Sequence, residues 1–496
     1  MLQAQNQINS PMKAILMVFL FSIVFGTQYS LADSIDLPDI GDSTGSLLSP
    51  EFERRLGQSF LNHVRRHTPI QDDPEIETYI QSIGYRLVAN SDNNERQFTF
   101  FVINDSLINA FAAPGGIVGI NAGVILNSDT ESELAAVMAH EVAHVTQKHM
   151  ARGAEAQSKM SVPMMAAMLG AILVATQNPE AGQAAIVAIQ GGAAQAQINF
   201  TRGNEQEADR IGMQLLERSG FNPRGMPGFF EKLQKQSRYT AQAPEFLRSH
   251  PLTSSRIADA KARSEVFPIN KKYEESTSYE FIRAKLIVIS HRDPKDAVKY
   301  FEHQIKKEIF PKDVAALSYG HALAMTAVGN YKGARQQLLA LLKEQPENSS
   351  FLLAIAALET SAGNFNEAFR YYAIMRNLYP DYRPVVLSYT KALLQANRPN
   401  EAKEILKHYG KYHEPDLTFY DYLTRAEEES GDSVEAGIAN AEYYYLSGET
   451  RIAMERLRYI LQQRDLYPDY YQEERIQARM SYYQQDLELE RVMLKR

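Results

Sequence analysis

Four alanines, Ala334, Ala368, Ala402 and Ala436, stand 34 residues apart. Five positions before each lies a residue that tolerates a left-handed backbone: Gly329, Gly363, Asn397 and Gly431. Tyr331 and Phe365 keep the same phase, as do Pro346 and Pro380. A Gly or Asn there suits the turn between two helices, and the small alanine lets those helices approach closely. One such unit cannot bury its apolar face alone, so units must stack into an all-α solenoid with a core shared between neighbours. The third unit is degenerate, with "ANRPNEA" at its turn. Gly448 and Ala453 then repeat the signal only 17 residues on, so one helix over about 433–446 closes one pair and opens the next. "RDPKDAVKYFEHQI", around Ala297, reads as a further, offset unit.

This helix–turn–helix period resembles the tetratricopeptide repeat, and it places a repeat domain at 269–496. A chain of 496 residues is too long for a single core, so the first half is expected to carry its own, and 33–268 to fold without the repeats. That half holds "AAVMAHEVAHVTQKHM". Thr130 and Glu133 form a capping box ahead of it, and Leu134, Val137 and Met138 keep helical spacing. On such a helix His140 and His144 point the same way, one turn apart, and can share one metal ion. Glu141 follows the first histidine and reaches a water rather than the metal. This is H-E-x-x-H, two zinc ligands and a general base for hydrolysis.

Charge and targeting narrow the setting. The net charge is −8, with no basic run, which argues against nucleic acid as a partner. Lys13 precedes the apolar "AILMVFLFSIVFG", and Ser30 and Ala32 stand three and one before a cut after Ala32. Residues 1–32 therefore read as a cleaved signal peptide, and 33–50, rich in Asp, Ser, Gly and Pro, as an extended leader. The chain has no cysteine, which avoids mispairing in an oxidising compartment; the periplasm is the expected location.

Residues 51–268 read as a mostly helical α+β domain with a small sheet. "EIETYIQSIGYRLVA" and "FEKLQKQ" are helical, "RQFTFFVIN" is a strand, and "APGGIVGINAGVIL" is a turn into a second strand. Segments 160–179 and 181–201 lack charge, but Pro163 and many Gln and Gly residues interrupt them. They are expected to form a soluble helical hairpin over the site, with membrane contact at most peripheral.

A catalytic zinc needs a third protein ligand. The metzincin position for it, six residues after His144, is Met150. His149, five after His144, should point off the metal face and lie on the surface. Glu205 and Asp209, four apart in "RGNEQEADRIG", read either as a ligand and a carboxylate orienting a ligand histidine or as a solvated acidic face that also includes Glu207.

"NAFAAPGGIVGINAGVI", "MAHEVAHVTQKH", "RGNEQEADRIG" and "SHPLTSSRI" together resemble the gluzincin family of HtpX, the CAAX prenyl proteases and their soluble relatives. With an export signal and repeats added, the chain is most similar to the soluble, repeat-bearing members. The resemblance implies a zincin-type metalloprotease fold followed by a tetratricopeptide-repeat solenoid. It implies one zinc ion with Glu205 as third ligand and Asp209 behind a histidine. It further implies action on unfolded or misassembled outer-membrane proteins, alongside their assembly machinery. His250, in "FLRSHPLTSSRI", lies in a motif the family places near zinc; a fourth ligand in the resting state, an oxyanion donor and a helix cap are its three readings, the first favoured. Extended substrate is expected to add as a strand to the Gly115–Ile120 segment, while the repeats bind the substrate or partner. Tyrosines in "AEYYYLSGE" and "DLYPDYYQEE" read mostly as core packing, with exposed ones available to a partner. The alternatives are a chaperone or scaffold with a normally silent peptidase, and a membrane-inserted peptidase.

Overall fold

The turn residues of the repeat do what their chemistry allows. Gly329, Gly363, Gly431 and Gly448 have φ of 80°, 77°, 88° and 86°, and Asn397 has 57°. Each reverses the chain between antiparallel helices, as in Ser349–Ser361 and Phe365–Leu378. Ala334, Ala368, Ala402 and Ala453 are wholly buried where the paired helices meet. Ser433–Leu446 packs against both Leu417–Glu429 and Thr450–Gln462, the shared helix that the 17-residue phase change requires. Ala297, also wholly buried, lies in Pro294–Lys307.

The computed structural model describes residues 50–92, 97–156, 179–239, 244–268, 273, 275–307, 311–463 and 468–494. The expected signal peptide (1–32), the leader apart from Pro50, and the 160–178 part of the expected hairpin lie outside the described residues. The second arm of that hairpin is continuous with the acidic motif in one helix, Pro179–Arg218. Among the described residues no helix is long and apolar enough to cross a membrane.

Among the described residues the small sheet has three strands: β1 (Thr99–Ile103), β2 (Ala110–Ala113) and β3 (Ile117–Asn121). Their order is β1-β3-β2, with β1 parallel and β2 antiparallel to β3. The turn Pro114–Gly116 reverses the chain through Gly115 and Gly116, at φ of 73° and 76°. Against the sheet lie Pro74–Ala89, which buries Ile76, Ile80, Ile83 and Leu87, and Glu131–Thr146, the H-E-x-x-H helix. The latter is capped by Thr130 Oγ1, which accepts from Glu133 N at 3.2 Å. Only half of the expected capping box forms: the Glu133 carboxylate turns instead to Asp129 N (2.6 Å) and Lys232 Nζ (2.5 Å).

The two halves of the described chain form one compact unit. Thr277–Ser290, beyond residue 268, serves both. Its Tyr279, Ile282 and Leu286 enter the core around the sheet, and its Phe281 and Ala284 enter the core of the repeats. The Tyr279 hydroxyl lies 2.9 Å from the carbonyl oxygens of Ile125 and Ser128. Lys285 Nζ bridges Asp73 (2.7 Å) and Glu75 (2.9 Å), Ser350 Oγ donates to Glu75, and Arg383 pairs with Glu77 at 2.8 Å. The start of Pro74–Ala89 is thereby held by repeat residues.

Candidate metal centre

His140 and His144 project from the buried helix Glu131–Thr146, their Nε2 atoms 3.1 Å apart. Glu205 comes from Pro179–Arg218, which packs close enough that a Cβ on Gly212 would sit 3.2 Å from His140 N. Its Oε1 lies 3.3 Å from His144 Nε2, and its Oε2 3.5 Å from His140 Nε2. His250 is the C-cap of the short helix Phe246–Ser249. Its backbone caps that helix while its ring, stacked on Phe246 at 4.7 Å, turns inward. Nδ1 is then 3.3 Å from His140 Nε2 and 3.1 Å from Glu205 Oε1.

The ligand atoms of His140, His144, Glu205 and His250 all lie within 4.8 Å of one another. For a tetrahedral ion with bonds of about 2.0–2.1 Å, the ligand atoms would stand about 3.3–3.4 Å apart. Five of the six separations, all but that between His144 and His250, are 3.1–3.5 Å, and these and the mixed imidazole–carboxylate donor set fit such an ion. Glu141 is not among these donors. Its side chain is fully buried, neither carboxylate oxygen has a hydrogen-bond partner, and His250 Nε2 is 3.5 Å from Oε1.

Behind the donors, Asp209 Oδ1 is 3.0 Å from His140 Nδ1. Arg256, absent from the sequence reading, grips both acidic residues. Its Nε and Nη2 donate to Asp209 at 2.7 Å each, and its Nη1 donates to Glu205 Oε2 and to the Pro251 carbonyl at 2.8 Å each. The only hint of it in the sequence was its place at the end of "SHPLTSSR", six after His250. Glu205 and Asp209 are buried, so the solvated-face reading does not hold for them.

Burial opposes charge on Glu205, but the three histidines outweigh it and hold the carboxyl well below the usual range. Burial likewise disfavours a charged His140, yet Asp209 and Glu205 push its pKa up to about 10. A metal ion and a proton thus compete for His140, and metal binding releases protons.

Two expectations are corrected. His149 is buried, not on the surface: Nδ1 lies 2.9 Å from His144 Nδ1 and Nε2 3.2 Å from Glu207 Oε2. The helix does not run straight to it, because Lys148 has φ of 53° and redirects the chain. The expected substrate edge is not an edge. Gly115 and Gly116 are turn, and β3 is the central strand, paired on both sides, so Gly115–Ile120 offers no edge. β2 is one of the two outer strands, and its Phe111, Ala112 and Ala113 line a cleft of about 380 Å³ with Glu141, His144, Glu205 and His250. "AFAA" is short and mostly alanine, a weak strand signal.

The fold and this donor set define a metal-dependent peptidase built on H-E-x-x-H and E-x-x-x-D motifs. Residues 74–264 match the model of peptidase family M48. Over 422 residues the chain is 37% identical to the beta-barrel assembly-enhancing protease of Escherichia coli (strain K12), covering 84% of this chain and 86% of that one. Over 423 residues it is 36% identical to the putative beta-barrel assembly-enhancing protease of Vibrio cholerae, covering 85% and 87%. The Yersinia pestis protein of the same name is 36% identical over 418 residues, covering 83% and 85%. The chain belongs to the family of beta-barrel assembly-enhancing proteases.

Proposed function

We propose that this chain is an exported, periplasmic, zinc-dependent endopeptidase that acts on misfolded or stalled outer-membrane proteins and assists their assembly. The observation that carries the reading is the convergence of His140, His144, Glu205 and His250 beside the buried carboxylate of Glu141, which accepts no hydrogen bond. The outer-membrane role is supported by the name its relatives bear, and export by the signal-like first 32 residues.

In this reading His140, His144 and Glu205 hold zinc, which suits two imidazoles and a carboxylate. When bound, the ion supplies Lewis-acid polarisation of a carbonyl and acidifies water. Glu141 takes the proton of the attacking water and passes it to the leaving amine. Asp209 accepts from His140 Nδ1 and fixes its tautomer; Arg256 holds Asp209, Glu205 and the loop of His250 in register. An extended peptide lies along β2 and pairs backbone to backbone, which favours unfolded chains with little sequence preference. The repeats bind the substrate or its assembly complex. The test is cleavage of an unfolded outer-membrane protein by the full chain, lost on chelation and restored by zinc. Bound zinc without cleavage under any condition would instead leave a scaffold or chaperone.

One observation favours a peptidase that is silent at rest. With Nδ1 inside the donor cluster, His250 would serve as a fourth ligand and close the position that hydrolysis needs open. His250→Ala should therefore keep its zinc and show faster self-cleavage and faster cleavage of unfolded substrate than the wild type. Retained zinc with turnover slower by about two to three orders of magnitude would assign His250 to the oxyanion instead. Unchanged rates would remove it from the chemistry.

A further inference from the structure

The two ligand histidines of the H-E-x-x-H helix each need an outer partner. A metal-ligating imidazole usually donates its second N–H to a carboxylate, carbonyl or water, which sets tautomer and ring orientation. His140 has the Asp209 carboxylate beside its Nδ1, at 3.0 Å. Among the described residues no carboxylate is bonded to the corresponding atom of His144: its Nδ1 faces the Nδ1 of His149 at 2.9 Å.

We propose that His149, backed by Glu207 and Arg152, is the positioning residue of His144. This rests on the reading of His144 as a zinc ligand. The hydrogen-bond roles follow in one direction only. His144 Nε2 points into the donor cluster, 3.1 Å from His140 Nε2 and 3.3 Å from Glu205 Oε1, and needs its lone pair there. A neutral His144 therefore carries its proton on Nδ1 and donates it to His149 Nδ1. His149 then carries its own proton on Nε2 and donates it to Glu207 Oε2 at 3.2 Å. Arg152 Nη1 donates to the same oxygen at 2.9 Å, fixing the carboxylate at the end of the chain. No atom in the relay is asked both to give and to receive the same proton.

The backbone is shaped for it. A straight helix would carry residue i+5 away from His144. The left-handed Lys148, φ of 53°, ends that helix, and a new helical stretch, 149–156, starts with His149 turned back. His149 is 4% exposed. Glu207 stands two residues from Glu205 on the same helix, so the relay ties the ligand His144 to the helix that carries the carboxylate ligand.

The test is the zinc dissociation constant of the full-length chain, measured by competition with a chelator. Asn and Gln separate the two ends of the imidazole: Asn Oδ1 sits near the place of Nδ1 and can accept from His144, whereas the Gln amide reaches the place of Nε2 and serves only Glu207. His149→Ala and His149→Gln should weaken zinc binding by about 10–100-fold, while His149→Asn recovers most of that loss. Metal-free Asn and Gln variants should melt at the same temperature, which a merely structural role would not pair with different zinc affinities. Equal affinities for Asn and Gln, or wild-type affinity for Ala, overturn the proposal and leave the zinc reading intact. A wild-type chain that holds no zinc overturns both.

Discussion

Glu141→Gln is expected to hold its metal and lose cleavage by about two to four orders of magnitude, the usual contribution of a positioned general base. The substitution is nearly isosteric, so the fully buried site keeps its shape. It removes the basic oxygen and nothing from the donor set, because the converging ligand atoms belong to His140, His144, Glu205 and His250. His140→Ala and Glu205→Ala should differ in kind, losing metal together with activity. Metal content measured beside cleavage of an unfolded substrate separates the two classes. Cleavage by Glu141→Gln at the wild-type rate would mean that another group takes the proton. The same variant, with metal bound and chemistry blocked, should hold substrate long enough for crosslinking to identify it.

A chain ending at residue 268 is not expected to fold cooperatively, even though the sequence suggests a self-sufficient first half. The cut removes Tyr279, Ile282 and Leu286, each 2% exposed or less, from the core that holds the metal helix. Losing large buried side chains costs about 2–5 kcal/mol each, so together they approach the roughly 5–15 kcal/mol that separates a typical domain from its unfolded state. The ion pairs of Lys285 and Arg383 go with them; these are largely shielded from solvent and one ends on the buried Glu75, so their loss adds to the cost. Circular dichroism melting of 33–268 beside the full chain checks this, with a chain ending after Ser290 as partial rescue. A sharp melting transition and bound metal in 33–268 would show that the junction helix is dispensable. On this view the repeats do more than recruit: they complete the protease core.

The features readable from the sequence are those that local helix geometry determines. A 34-residue period with Gly or Asn at each turn becomes helix pairs because only residues tolerant of positive φ can make those turns. His140 and His144 share a site because four residues make about one turn, and Thr130 caps the helix through an atom three residues away. Tertiary structure decided the rest. Arg256 meets Asp209 and Glu205 across 47 and 51 residues of chain, and His149 meets Glu207 across 58; no periodic pattern carries such pairings. β2 rather than β3 offers an edge beside the cleft because edge or centre is a property of the strand order, not of either strand's residues. Lys148 turned His149 from the surface to the site with one positive φ in a residue type that rarely adopts it. Local spacing thus paired His140 with His144 and left Glu205 open, whereas the convergence of Glu205 and His250 on that pair, the groups that hold them in place, and the helix that completes their core are set by long-range packing, whose partners come together only when the chain has folded.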